Sequence, residues 1–329
     1  MITMEDKDPT PRIIPNLEDY QSIIDAAQNG KLILFIGNGV SRLLGYPSWI
    51  ELGIRAIDIL YKEGHIEYSE KSSLLTLNPR IQLSIFSDNY KAKGIDYDYA
   101  KLIFQDKAIV LKTEIYDALY SIGTVFVTTN YDECLDKLAD NKILSSKDDG
   151  GSLGSPRITS PTSVFFRKEE ITSARLDQPG SIIHLHGSIK DKETMIMTTR
   201  DYIKHYMNRF VIDFLNDLFS RKTVLFIGYG LEEEEMLEFI VRKSNVQSAE
   251  EPKHFWLYPR MSKDNAAYKH LKGYFERHCG IRLIDYNIDK KGHAHLEEII
   301  IKWASGLKGK VKKPNFEEEK DVIRQLLNK

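Results

Sequence analysis

The chain has 329 residues, is 42% hydrophobic and 29% charged, and carries a formal net charge of −2. That length suffices for one large α/β domain or two small ones with a sizeable core, and the charge balance gives no sign of the basic surface that direct nucleic-acid binding needs. Cys134 and Cys279, the two cysteines, lie far apart and outside any CxxC, which excludes a cysteine zinc module and a disulfide framework.

In chain order, residues 1–16 ("MITMEDKDPTPRIIPN") read as a flexible tail without the apolar core of a signal peptide. No apolar run approaches the ~20 residues that span a bilayer, so a cytoplasmic protein without membrane contact is expected. A helix is predicted at 17–28, stopped by Asn29-Gly30. "KLILFIG" at 31–37 is a continuous apolar run bounded by glycine, as a strand buried on both faces of a parallel sheet would be. A glycine turn at 37–45 and a helix at 48–64 follow. From about 65 to 120 the apolar spacing is helical, which predicts a helical insert. Strand, turn and helix return at 124–140 ("TVFVTTNYDECLDKLAD"). Residues 144–163, rich in Ser, Gly, Pro and Asp, read as a long loop.

"SIIHLHGSI" reads as a strand with a glycine exit, 200–222 as one helix, and 223–243 as strand, glycine turn and helix. "KHFWLYPR" and "GIRLIDYN" read as the last strands and "HLEEIIIKWASGL" as the closing helix, so that one domain runs from 17 to 305. Residues 306–329 read as a charged linker with a short helix, an assembly contact or a solvated terminus. The alternation of strand and helix predicts an α/β fold, a doubly wound parallel sheet of Rossmann-like type, whose ligands bind at the carboxyl ends of the strands where strand order reverses.

Four strand exits could carry chemistry. In "FIGNGVS", Gly37 and Gly39 would let the backbone approach a ligand, and Ser41 could cap the next helix or bind a phosphate. A plain strand-to-helix turn explains the segment equally well, since neither GxGxxG nor the P-loop is present. In "VTTNYDECL", Asn130 and Asp132 place an amide and a carboxylate at the sheet edge, although both residue types are ordinary in turns and caps. In "SIIHLHGSI", His184 and His186 are two apart and would share a strand face. They could be metal ligands, a packed core histidine with a turn residue, or a catalytic base with its support. The other seven of the nine histidines do not sit at comparable strand ends. "FIGYGLEEEEML" is a second glycine exit, with Glu232 to Glu235 placed to favour the helix dipole rather than chemistry.

In order, these segments resemble the sirtuin superfamily. Its "GAGxS" turn corresponds to Gly37-Asn38-Gly39-Val40-Ser41, its "TQNID" segment to Thr128-Thr129-Asn130-Tyr131-Asp132, its "HG" pair to His186-Gly187, and its "GTS"-type turn to Gly228-Tyr229-Gly230. The likeness spans about residues 30 to 290 and is nearest to the sirtuin-like NAD-hydrolysing domains of bacterial antiphage defence proteins. The missing zinc cysteines, with a helical insert in place of the zinc module, put acyl-peptide recognition in doubt but not NAD binding.

The resemblance implies an NADase, with NAD as substrate and no zinc, that depletes NAD in infected cells. NAD would lie over the strand ends with its pyrophosphate near Gly37, Asn38, Gly39, Val40 and Ser41. Thr129 and Asp132 would also bind it, Asp132 through the carboxamide, as would Gly228, Tyr229 and Gly230. Asn130 would position the ribose hydroxyls and a water. His186 would be general base, its unperturbed pKa of about 6.5 suiting neutral pH, and His184 would support. The alternatives are a module that binds NAD or ADP-ribose derivatives without turnover, and an NAD-dependent protein deacylase. The resemblance also implies a homo-oligomer, with a partner ATPase or a phage-derived activator as possible controls.

Overall fold

A computed structural model describes residues 14–104, 114–136, 163–230, 234–243 and 252–307. Its frame is a seven-stranded sheet in the order β3-β4-β2-β1-β5-β6-β7, every neighbouring pair parallel. The strands are β1 (Leu32–Ile36), β2 (Phe126–Thr128), β3 (Ser163–Phe165), β4 (Ser181–His184), β5 (Thr223–Ile227), β6 (His254–Arg260) and β7 (Ile281–Asn287). β1 is central and wholly buried, as its unbroken apolar run requires.

The helices are α1 (Gln21–Gln28), α2 (Asn38–Arg42), α3 (Trp49–Lys62), α4 (Tyr68–Leu74), α5 (Pro79–Ala92), α6 (Tyr99–Phe104), α7 (Glu114–Ile122), α8 (Thr199–Tyr206), α9 (Arg209–Arg221), α10 (Glu234–Lys243), α11 (Asn265–Tyr274) and α12 (His295–Leu307). A further helix begins at residues 134–136. Alternation along β1 sends Leu32, Leu34 and Ile36 to one face, where α1, α7 and α12 cover them. Ile33 and Phe35 go to the other face, under α9 and α10. Both faces are therefore dry, which defines a doubly wound, Rossmann-like α/β fold.

A third core lies off the sheet, built by Leu52, Ile57 and Leu60 of α3, Leu83 and Phe86 of α5, and Leu102 of α6. This helical unit starts earlier than the sequence suggested, with α3, whose N-terminus is closed by a Ser48–Glu51 capping box. α7 does not belong to it: Ile115, Leu119 and Ile122 pack on the sheet. Two further differences concern elements. Ser163, assigned to the long loop, opens edge strand β3, the rest of that loop lying outside the described residues. The single helix expected at 200–222 is two, because Asn208 accepts a hydrogen bond from the Phe210 N–H and starts α9 afresh. Residues 1–13 and 308–329 are outside the described residues.

The chain leaves β1 toward β2 on one side and later crosses to β5 on the other. The order therefore reverses between β1 and β5, and the crevice beyond their carboxyl ends is the expected ligand position. Among the described residues no helix is long and apolar enough to cross a membrane.

Candidate functional site

A cavity of about 590 Å³ opens at that reversal point, between the strand ends and the helical unit. Its size suits a small-molecule ligand. Asn38, Thr129, Asn130, Asp132, His186, Gly228, Tyr229 and Gly230 all line it. Gly37, Gly39, Val40 and Ser41 do not; they lie behind the wall.

The two glycine exits lock onto each other. The Gly37 N–H donates to the Ile227 carbonyl at 2.9 Å and the Gly39 N–H to the Gly228 carbonyl at 2.7 Å. A Cβ on Gly37 would stand 2.4 Å from Tyr229 Cα, and one on Gly39 would stand 2.7 Å from Gly228 Cα. Gly228 itself has a φ of +63°, a conformation glycine adopts without the steric cost a Cβ brings. The glycines thus let two backbones touch at the reversal point, and the amides of Gly37 and Gly39 already have acceptors. Of the turn expected to receive a pyrophosphate, Asn38 alone lines the cavity. Val40 is buried core beneath the turn.

Ser41 is also turned inward. Its hydroxyl donates to Asp132 Oδ2 at 2.7 Å and accepts from Asn130 Nδ2 at 2.8 Å. Asp132 Oδ1 accepts the Cys134 N–H at 3.1 Å, closing the turn into the next helix. Both Asp132 oxygens therefore serve the local frame, which weakens its assignment to a carboxamide. Asn130 Nδ2 also donates to the Gly37 carbonyl at 3.1 Å. Its amide is thereby fixed, and Oδ1, buried on the cavity wall, has no hydrogen-bond partner.

The two histidines differ in chemistry. β4 ends at His184, so His186 lies in the turn beyond the strand and the two do not share a strand face. His184 is fully buried. Its Nδ1 is 2.9 Å from the Asn130 carbonyl oxygen and its Nε2 2.9 Å from Asp136 Oδ1. Both partners are acceptors, so both ring nitrogens donate and neither can ligate a metal. Burial works against the cation, but Asp136 and the Asn130 carbonyl outweigh it and the His184 pKa is raised. Lys190 completes the network, donating to Asp136 Oδ2 at 2.9 Å. His184 thus braces the Asn130 backbone from behind.

His186 is buried on the cavity wall, its Nε2 2.9 Å from the Tyr206 hydroxyl. Burial, reinforced by the Arg80 charge, pushes its pKa down to about 3. A base poised near neutrality was expected; the ring is instead held neutral. Gly187, with φ +81°, follows because the chain turns back so tightly that a Cβ there would stand 2.1 Å from the Thr194 carbonyl oxygen.

The helical unit supplies wall residues that the sequence did not single out, among them Trp49, Asn78 and Arg80, with Tyr202 from α8 and Glu235 from α10. Arg80 makes a two-point pair with Glu235, at 2.7 and 3.3 Å, and its guanidinium lies 3.8 Å above the Tyr202 ring. Glu235, read from sequence only as a favourable helix-start charge, therefore belongs to the cavity. Asn78 and Pro79 do announce the start of α5, but nothing local says that this helix end faces a cavity.

Compared with known families, residues 124–284 match the SIR2-like domain, just under half of the chain. The match includes Asn130, Asp132, His186 and the Gly228–Gly230 turn, though not Asn38 at the exit of β1, and SIR2-like domains use NAD. The chain is also 25% identical over 223 residues to Defense-associated sirtuin 2 of Bacillus subtilis, an alignment covering 65% of this chain and 19% of that protein. It therefore spans about one fifth of that relative's length. Cys134 and Cys279 are both buried thiols, and among the described residues no group of three or more His, Cys, Asp or Glu could hold a metal.

Proposed function

We propose that this SIR2-like domain is an NAD glycohydrolase, converting NAD and water to nicotinamide and ADP-ribose, and that it serves antiphage defence by depleting NAD. The observation that supports it most is the Asn130 amide. It is clamped by Ser41 and Gly37, braced through its backbone by His184, and left with one buried acceptor on the wall of a cavity at the strand-order reversal. A buried acceptor without a partner is costly, and a sugar hydroxyl in the cavity would satisfy it. The residues present thus fit a dinucleotide.

When bound, NAD supplies an N-glycosidic bond from ribose to a cationic pyridinium ring, and nicotinamide leaves neutral without an acid. Asn130 would accept a ribose hydroxyl at Oδ1 and orient the sugar. His186, neutral and held through Nε2 by Tyr206 on the cavity wall, would orient the attacking water. The tyrosine and tryptophan side chains of the wall would exclude water from all but the reacting face. The likeness to a protein named as defence-associated supports the biological half of the reading; control by self-assembly or by a phage-derived activator is part of the proposal.

The test is chromatographic. The 329-residue chain is incubated with NAD, with and without an activating lysate from infected cells, and nicotinamide and ADP-ribose are quantified. Asn130→Ala and His186→Ala are expected to abolish release while keeping the wild-type circular dichroism spectrum. Full activity in both folded variants would remove these residues from the mechanism.

A further inference from the structure

Asn130 would meet the ribose through one atom, Oδ1, so its use depends on the angle at which the rest of the residue is held. Its backbone N–H donates to Thr128 Oγ1 at 3.0 Å, and its Nδ2 reaches the Gly37 carbonyl and Ser41 Oγ. The remaining polar atom is the backbone carbonyl oxygen, and a chain of three side chains stands behind it. His184 donates to that carbonyl through Nδ1 and to Asp136 Oδ1 through Nε2, both at 2.9 Å. Asp136 Oδ2 accepts from Lys190 Nζ at 2.9 Å, and Lys190 Nζ lies 3.4 Å from Glu133 Oε1. The side chains of His184 and Asp136 are 0% and 1% exposed, whereas that of Lys190 is 36% exposed. A path of hydrogen bonds therefore runs from solvent to the back of Asn130, and none of its three side chains lines the cavity.

We propose that Asp136 and Lys190 are positioning residues of this site, which keep His184 as a strut donating from both ring nitrogens and thereby fix the direction of Asn130 Oδ1. This rests on the reading of the cavity as an NAD-hydrolysing site in which Asn130 touches the ribose. The chemistry of the chain argues for aim rather than for stability. An imidazole that donates from both nitrogens is a cation. Taking that cation and a carboxylate fully out of water is a poor way to stabilise a fold, since apolar side chains packed in the same space often do as well. What the ions add is direction, because charge-assisted hydrogen bonds are short and hold one geometry. Without the Asp136 carboxylate a buried imidazole would shed one proton, and nothing would keep the remaining N–H on the Asn130 carbonyl. Lys190 in turn holds the second carboxylate oxygen, so that Oδ1 stays turned toward the ring. A displacement of about 1 Å in a group that orients substrate can slow a reaction by about a hundredfold. A strut that adds little to folding can therefore decide turnover.

The experiment is steady-state hydrolysis of NAD by the full chain, expressed per folded molecule from urea denaturation. It is paired with heteronuclear magnetic resonance of the Asn130 side-chain amide, assigned by its absence from Asn130→Ala. Asp136→Asn is expected to lower kcat about ten- to a hundredfold with KM within about twofold of wild type. Lys190→Gln is expected to lower kcat about two- to fivefold, the worth of a part-exposed ion pair, and Lys190→Arg to restore it. The double variant His184→Leu, Asp136→Val removes both buried charges at once and should stay folded, yet lose kcat by about tenfold or more. In each slow variant the Asn130 amide resonances should move. Lys222→Gln breaks a comparable pair, Lys222 with Asp177 at 2.7 Å, at the amino end of β5 away from the cavity, and should leave kcat and those resonances unchanged. Wild-type kcat in folded Asp136→Asn and double-variant proteins, or unmoved resonances, overturns the positioning role and leaves the hydrolase reading standing. If the double variant fails to fold, wild-type kcat in Lys190→Gln overturns it instead. NAD left intact by wild-type protein overturns the hydrolase reading, and unmoved resonances would then overturn the strut as well.

Discussion

Replacing Gly37 with alanine separates packing from ligand contact at the strand-order reversal. The backbone there is ordinary, with φ −101°, so alanine carries no conformational penalty. Its Cβ would lie 2.4 Å from Tyr229 Cα and 2.5 Å from the Gly228 carbonyl oxygen, where ordinary contact begins at 3.4 Å. Both obstacles are backbone of the turn that leaves the neighbouring strand, β5. The sheet must therefore shift by about an ångström in a region packed like a crystal, and overpacking of this kind costs about 1–3 kcal/mol. Gly228→Ala adds the strain of a left-handed residue, φ +63°, to a Cβ contact of 2.7 Å with the Val40 nitrogen. Its expected cost is about 2–5 kcal/mol. Gly64→Ala is the control: φ is +71° with nothing within 4 Å, so only the strain of about 1–2 kcal/mol remains. Urea denaturation of the three variants, read as midpoint shifts at constant slope, measures the series. A Gly37→Ala protein with the wild-type midpoint would refute the interlock, and loss of NAD binding alone would return the glycine to a ligand role.

Other expectations follow from the buried polar groups. Asp136→Asn leaves the fully buried His184 without its counter-charge and should destabilise by about 3 kcal/mol, checked by the same denaturation series. His205 is buried with neither ring nitrogen partnered, so His205→Phe should be neutral or stabilising by about 1 kcal/mol; clear destabilisation would show that the ring nitrogens are used. Burial holds His186 and His254 down at about 3 and His205 at about 2. Such groups bind protons more readily in the unfolded chain, so stability is expected to fall as pH drops from about 6.5 toward 3. The opposite sign applies to His184, whose raised pKa gives stability that is complete below about 6.5 and lost as pH rises through its folded value. Asp136, held low mainly by His184 and Lys190 against its own burial, contributes above about 3.9 and is lost in acid. His205→Phe should flatten the acid limb; an unchanged slope would place the titration elsewhere.

The sheet was legible because its strands announce themselves. β1 and β5 are apolar runs closed by glycine, and a strand buried on both faces has few other forms. β3 was not legible, being three half-buried residues at the sheet edge beside a Ser- and Gly-rich stretch. The break between α8 and α9 was signalled only by Asn208, while the apolar spacing ran through it. In the site, Asn130 and His186 stood out because each follows a strand within a short motif. What their neighbours do was not legible, because it depends on partners remote in sequence. Ser41 and Asp132, 91 residues apart, both read as ligand-binding, and the bond between them could not be read from either segment. Arg80 and Glu235 are 155 residues apart; Glu235 read only as a helix-start charge and Arg80 drew no reading, and only the fold pairs them on the cavity wall. The same holds for His186, whose ordinary pKa suggested a base before burial and Arg80 were known to hold it neutral.

The central claim, that the cavity breaks the nicotinamide–ribose bond of NAD using water, is tested most directly by following both products from one sample. Incubation of the activated chain with NAD in the absence of any acylated peptide should release nicotinamide and free ADP-ribose one for one, with Asn130→Ala inert. NAD recovered intact at concentrations that saturate binding would contradict the claim and leave a binding module in its place.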